Sequence, residues 1–480
     1  MPDKNKPVPR HRSIKPGDRV FRIPRPSQWQ VMLPSIVRPR AGGGISTTII
    51  AYGFAAVILV GTLLLMLPIA TVDRVSTHPT TALFTATSSV CVTGLVVVDT
   101  NDYWGPFGQA VILALIQIGG FGFMTTATIV LLALGRRIGL RERLLIKEAM
   151  GVTQLGGVVR IVRQLLFFTL IAEVLGSALI YLRLSTQFSR GQAIWKSVFH
   201  SISAFNNAGF DLFGGFNSLT GFQSDPLILL TTAGLVILGG ISYMVVLDLI
   251  RKRSLAHLTL DSKMVLTTTV FLLAFGTIVI LLTEMSNPAT LGHLTLTQKI
   301  LNSFFQSVTP RTAGFNSLET GSFAVYSLFF TMLLMFIGGA SGSTAGGIKV
   351  NTFGLLAATI VSTVRGDENP TAFQREINTE QIHRALTLVI LSVVFIFVIV
   401  FCLTITEKID FIDLLFETIS AFGTVGLTTG ITPLLSTAGR VFIILTMFVG
   451  RIGPLTLILS LTLRQRRTDF SFPREAVRIG

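Results

Sequence analysis

The chain has 480 residues, half of them hydrophobic and only 13% charged, with a mean hydropathy of +0.68. An ordinary soluble domain carries about 25% charged residues, so this composition excludes one and points to a polytopic membrane protein. The net charge of +15 would suggest a nucleic-acid partner in a soluble protein; in a membrane protein the placement of the positive residues matters more than their sum. Cys91 and Cys402 offer neither metal spacing nor a disulfide framework, and the six histidines form no ligand motif. The chain opens on about forty polar, Pro- and Arg-rich residues, which do not read as a secretory signal peptide.

A membrane span needs about 20 apolar residues. In chain order the candidates are Thr47–Pro68, Gln109–Leu134, Ile161–Leu182, Pro226–Ile250, Met264–Leu282, Ser327–Thr363 (interrupted), Leu386–Ile405 and Arg440–Leu463. Between the members of each pair lies a shorter stretch: Leu83–Val98, Ser197–Phe213, Asn302–Ser317 and Leu414–Thr429. These are too short to cross and rich in Gly, Ser, Thr and Asn. Irregular backbone at membrane depth survives only against protein or a water-filled cavity, so they read as re-entrant segments. Thirty of the 39 Lys and Arg residues fall in the tails and the alternate connections, such as Gly135–Arg163 and Arg251–Lys263. The positive-inside rule then places both termini in the cytoplasm and the four short stretches on the outer side.

The four short stretches align on Gly94, Gly209, Gly314 and Gly426, each ten residues after a phenylalanine: Phe84, Phe199, Phe304 and Phe416. A downstream pair also aligns: Gly119-Gly120, Gly239-Gly240, Gly338-Gly339 and Gly450-Arg451. The expected fold is all-α, with four tandem span–pore-loop–span repeats giving eight transmembrane helices and four re-entrant pore helices. The repeats surround a pseudo-fourfold central pore. Their expected bounds are 45–137, 138–253, 254–366 and 367–463, with cytoplasmic tails at 1–44 and 464–480.

This geometry suits a monovalent cation. Backbone carbonyls can replace its hydration shell without adding fixed charge. Glycine adopts the conformations that turn them inward. A helix of about ten residues is ~15 Å long and would point its negative C-terminal end at the membrane centre. The expected filter residues are Val92, Thr93, Gly94 and Leu95; Asn207, Ala208, Gly209 and Phe210; Thr312, Ala313, Gly314 and Phe315; and Thr424, Val425, Gly426 and Leu427. The last set is close to the Thr-Val-Gly-Tyr order of potassium-channel filters.

The loops Ser88–Thr100, Phe205–Asp211, Thr309–Asn316 and Ala421–Leu427 resemble, in order, the four pore loops of the Trk/Ktr/HKT superfamily. The resemblance covers about residues 45–465 and is closest to the Ktr-type membrane subunit, because no additional spans precede the first repeat. It implies potassium uptake through a channel-like pore in a bacterial plasma membrane. It also implies a homodimer with one pore per protomer, activation by Na+, and a cytosolic RCK-type ring that binds ATP/ADP or NAD. Glycine at all four key positions matches the potassium-selective members. No cofactor or nucleic-acid partner is expected of this chain.

The last span of the third repeat is broken by Gly338, Gly339, Ala340, Ser341, Gly342, Ser343, Thr344, Ala345, Gly346 and Gly347, followed by Ile348 and Lys349. Each Gly costs a helix roughly 1 kcal/mol against Ala. A P-loop is excluded because Ile348 separates Gly347 from Lys349. The segment resembles the family's intramembrane gating loop. Arg451 replaces the second glycine of the fourth pair. A charge at that depth marks function, and it is expected to face the pore and bond the Gly-rich carbonyls; a salt bridge to Glu417 or Asp248 is the alternative. Glu173 reads as a helix–helix hydrogen bond, with an ion or proton site as the alternative; His200 reads as packing and Arg311 as a brace pointing away from the pore. Asp99 and Asp211 read equally as cation-attracting or as backbone caps. Alternating-access symport, coupled to Na+ or H+, is the alternative function; no nucleophile–base or metal constellation suggests an enzyme.

Overall fold

The computed structural model describes residues 43–122, 125–126, 158–367 and 369–453. Most of the N-terminal tail, most of the basic segment 135–163 and the C-terminal tail, all read above as cytoplasmic, lie outside the described residues.

The helices follow one order four times. The first group is α1 (Gly43–Leu65), α2 (Pro79–Cys91), the one-turn α3 (Thr100–Tyr103) and α4 (Pro106–Phe121). The second is α5 (Val158–Leu184), α6 (Arg190–Phe205), α7 (Pro226–Gly240) and α8 (Tyr243–Lys252). The third is α9 (Leu260–Glu284), α10 (Leu296–Val308), α11 (Val325–Phe336) and α12 (Val350–Arg365). After a small hairpin, β1 (Thr371–Ala372) with β2 (Arg375–Glu376), the fourth is α13 (Thr379–Thr406), α14 (Phe411–Gly423) and α15 (Thr437–Ile452).

Burial separates the roles within each group. The opening helices α5, α9 and α13 are long and apolar enough to cross a bilayer, and most of their surface is open. Val174, Phe271 and Phe397 stand exposed on them, as lipid-facing side chains do. The C-terminal halves of the short helices α2, α6, α10 and α14 are mostly buried. α10 carries a capping box, Thr295 with Gln298, and α2 has Pro79 in its first turn, where no N–H partner is needed.

The groups close on one another in sequence. α4 packs on α6, α7 on α10, α11 on α14, and α15 back on α2. Each closing helix thus supports the short helix of the next group, and the fourth supports the first.

The closing helices all stop at the aligned pair. α4 ends at Phe121, next to Gly122 at φ +77°, and α15 ends at Ile452, next to Gly453 at φ +90°. α11 ends at Phe336, two residues before Gly338. The stretch Pro226–Ile250, read from sequence as one span, is two helices meeting at 93°. Ser242 caps the second by accepting from Met244 N–H, and the freed carbonyls of Gly239 and Gly240 bond a distant loop. An apolar run does not reveal that break, because the replacement partners lie about a hundred residues away in sequence.

Candidate functional site

The four aligned glycines meet. Gly94, Gly209, Gly314 and Gly426 have φ of +92°, +72°, +76° and +94°, a region L side chains avoid. A Cβ on Gly94 would lie 2.6 Å from the Ala208 carbonyl oxygen, and one on Gly209 2.9 Å from that of Ala313. On Gly314 it would run into the Val425 oxygen, and on Gly426 into the Thr93 oxygen. The contacts run from each loop to the next and return to the first. Thr93, Ala208, Ala313 and Val425 therefore surround one small space with carbonyl oxygens, and none of the four accepts a hydrogen bond among the described residues. Buried carbonyls are almost always paired, so this set is chemically conspicuous. Their donor type, neutral oxygen on several sides, suits a dehydrated monovalent cation as substrate.

The backbone repeats in finer detail. The residue two before each glycine, Val92, Asn207, Thr312 or Thr424, is also left-handed, with φ between +49° and +73°. The following N–H turns back to the short helix: Thr93 to Ser88 O at 2.8 Å, Ala208 to Ser203 O at 2.8 Å, Ala313 to Thr309 O at 2.9 Å and Val425 to Ser420 O at 2.8 Å. In the first and fourth loops the serine hydroxyl also accepts the glycine N–H, at 3.1 Å in both. The side chains after the glycines, Leu95, Phe210, Phe315 and Leu427, are buried in apolar clusters and anchor the loops from behind. Asn207 Nδ2 donates to Thr312 Oγ1 at 3.3 Å, joining the second and third loops. Asn207 Oδ1 and Thr424 Oγ1 are buried without hydrogen-bond partners among the described residues.

The Gly-rich segment lies against this end of the loops. Ile337 and Ile348 pair as neighbours, Gly338 N–H donates to Ile348 O at 2.8 Å and Val350 N–H to Gly339 O at 3.0 Å. A Cβ on Gly346 would strike Thr424, and one on Gly347 would sit 3.2 Å from Gly423 Cα. Ala340 N–H bonds Gly240 O at 2.9 Å, and Thr344 Oγ1 bonds Gly239 O at 2.9 Å. Ser341 N–H meets Asn351 Oδ1 at 2.9 Å, Ser343 Oγ returns to Ala340 O at 2.7 Å, and Lys349 Nζ reaches Ala345 O. Gly342 turns the segment at φ +75°. Arg451 spans the gap: its Nη1 donates to Thr344 O and its Nη2 to Gly119 O, on the first group. Neither proposed acid is its partner. Glu417 Oε1 accepts from Thr432 Oγ1, and Asp248 binds Lys252, Thr259 and Ser262.

A family model described as a cation transport protein, TrkH, matches residues 44–468. The chain belongs to the TrkH cation transport family. Membership makes it a multi-pass membrane transport protein, not an enzyme. It is similar to the Ktr system potassium uptake protein B of Bacillus subtilis, 44% identical over 90% of this chain and 96% of the relative. It is also similar to the potassium/sodium uptake protein NtpJ of Enterococcus hirae, 38% identical over 90% and 96%. The crystal structure of the potassium transporter TrkH from Vibrio parahaemolyticus has the same fold, with a TM-score of 0.70 at 18% identity, covering 90% of this chain and 87% of that one.

The remaining polar residues are structural in their contacts. Glu173 Oε1 accepts from Gln117 and Asn206, both at 3.1 Å, tying α5 to α4 and to the end of α6. His200 lies between Phe213 and Phe315 and meets Thr232 at 3.0 Å. Arg311 turns back to Thr269 O at 3.2 Å. Asp99 accepts from Asn101, Asp102 and Phe216 N–H groups, and Asp211 from Phe213 N–H, so both cap backbone. The serines Ser88 and Ser420, whose hydroxyls accept the Gly94 and Gly426 N–H groups, were missed from sequence. Their signal was a serine six residues before the glycine, shared by Ser203 but lost at Val308.

Proposed function

We propose that the chain is the membrane subunit of a potassium uptake system, with K+ passing through the centre of the four glycine loops. The observation that carries this reading is the set of unpartnered carbonyls at Thr93, Ala208, Ala313 and Val425, grouped around four left-handed glycines. Carbonyls held by buried short helices can replace the hydration shell of a monovalent cation without trapping it by charge. The four groups act as four pore repeats, eight spans in all, with short helices entering from the outside and both termini in the cytoplasm. The Gly-rich segment 338–347 closes the path on the cytoplasmic side of the filter, and Arg451 latches it to the first repeat. The chain works as a homodimer with one pore per protomer. An RCK-type nucleotide-binding ring docks on its basic cytoplasmic loops and controls the latch. Na+ is the natural activator to test, given the potassium/sodium name of the Enterococcus hirae relative.

Gly314→Ser tests the filter. A side chain there meets the Val425 carbonyl at a backbone angle of +76°. In liposomes the variant is expected to lose discrimination among K+, Rb+ and Na+ while remaining folded. Unaltered selectivity in a folded variant would remove the filter assignment.

A further inference from the structure

Between them, α5 and α6 of the second group leave a groove of about 420 Å³. That is the size of a small-ligand site. Its walls are apolar, formed by Leu170 and Val174 of α5 and by Ile194, Val198 and Ile202 of α6. Three polar residues also line it, Glu173, Ser177 and Tyr181. They are four residues apart on α5, so they share one helix face and run as a polar stripe along the groove. Glu173 lies deepest and is only 6% exposed. Its Oε1 is taken by Gln117 and Asn206, while its Oε2 receives no donor among the described residues.

We propose that this groove binds a membrane-dissolved hydrophobic amine, with the nitrogen at Glu173 Oε2 and the alkyl chain along Val174, Ile194 and Val198. Charge complementarity selects this occupant. A neutral amine dissolves in hydrocarbon, and so does a carboxylic acid. When they meet, the Glu173 proton passes to the amine nitrogen, giving an ammonium–carboxylate pair without bringing net charge into the bilayer. A fatty chain alone would leave the Oε2 proton without an acceptor. The ammonium also competes with Asn206 Nδ2 for the carboxylate. Asn206 closes α6 immediately before Asn207 of the filter, so occupancy loosens the second loop and slows transport. This last step rests on the filter reading above; the binding itself does not.

The test uses the full chain in liposomes, with decylamine as probe and decanol as control. Binding is read by protection from dicyclohexylcarbodiimide, which takes up a protonated carboxyl by adding its O–H across a C=N bond, releasing nothing. Decylamine is expected to protect Glu173 from labelling and to slow K+ uptake; decanol is expected to do neither. Glu173→Gln and Ala178→Trp, the latter filling the groove, are each expected to raise the half-inhibitory amine concentration at least about tenfold, relative to each variant's own uninhibited rate. Labelling indifferent to decylamine, or both variants inhibited at the wild-type concentration, would overturn the site. So would cross-linked dimers through Ala178→Cys in a chain lacking Cys91 and Cys402, since a second copy would then cover the groove. Protection without inhibition would sustain the site and overturn its coupling to the filter loop.

Discussion

Replacing Arg451 by glutamine should increase transport. In the structure the guanidinium joins Thr344 O of the Gly-rich segment to Gly119 O at the end of α4. If that segment must leave for ions to pass, the Thr344 bond breaks on opening, while the Gly119 bond can persist. A hydrogen bond from a charged donor contributes about 1.5–3 kcal/mol. Its loss from the closed state alone lowers the closed-to-open ratio about 10- to 150-fold, at ~1.4 kcal/mol per factor of ten. A channel that is mostly closed then transports faster by much of that factor. Arg451→Lys should rise less, because an ammonium keeps the charge but lacks the planar fork that reaches two carbonyls. The assay is the initial rate of rubidium uptake into liposomes at equal amounts of folded protein. Deleting Ala340–Ala345 should also raise the rate, and adding Arg451→Gln to the deletion should add little, because both act on one contact. An unchanged or lower rate in folded Arg451→Gln, or full additivity with the deletion, would refute the latch.

Three further outcomes follow from the same geometry. Ser88→Ala and Ser420→Ala remove the hydroxyls that accept the Gly94 and Gly426 N–H groups, leaving each buried donor unmatched at a cost of about 1–3 kcal/mol. Relative K+ and Na+ uptake should show weaker discrimination in both, and selectivity equal to wild type would argue against these serines holding the filter. Gly450→Ala puts a methyl against the Phe422 carbonyl where α15 crosses the end of α14, whereas Gly234 faces open space. The first should lower the thermal transition of detergent-solubilised protein by several degrees and the second should not; equal transitions would contradict the close approach. Burial pushes the Asp211 carboxyl up to about 6, with the Asp99 charge adding to the shift. A raised carboxyl contributes stability that is present below the usual carboxylate value of about 3.9 and is lost as pH rises through about 6. Asp211→Asn should therefore exceed wild type in thermal stability at pH ~7.5 and lose that advantage toward pH ~4. A difference that does not change with pH would refute the assignment.

The glycine alignment was legible because one physical demand acts four times. Only glycine is comfortable at φ of about +72° to +94° while the carbonyl of a neighbouring loop approaches within 3 Å of where a Cβ would lie. The matching pairs at 119, 239, 338 and 450 carried the same kind of signal. A Cβ at Gly119, Gly239 or Gly450 would strike the carbonyl of Val90, Phe205 or Phe422, each four residues before one of the four loop glycines. Most contacts between distant segments were not legible. The bond from Arg451 to a Gly-rich carbonyl was expected from its place in the aligned pair, but its second arm to Gly119 was not, nor was the bend after Gly240, which depends on Ala340 and Thr344. No local pattern names such partners, so the span was read through the bend.

The left-handed residue two before each loop glycine was hidden for a different reason. Asn207 suits that region, but Val92, Thr312 and Thr424 are β-branched and do not. A β-branched residue there stores on the order of 1–3 kcal/mol of strain. Propensity argues against the conformation, and the surroundings impose it. The next N–H is drawn back to the short helix in all four loops, and the side chain following each glycine is held in an apolar cluster. That balance also explains why the Gly-rich segment packs where it does. Gly346 lies against Thr424 and Gly338 against the Thr312 methyl, so the loop supports two of the three strained positions. In the proposed cycle, opening withdraws that support from the inner end of the filter. The latch and the filter are then coupled through contact, and Arg451→Gln should weaken ion discrimination as it raises the rate. A variant that conducts faster with selectivity intact would show that the two ends of the site act independently.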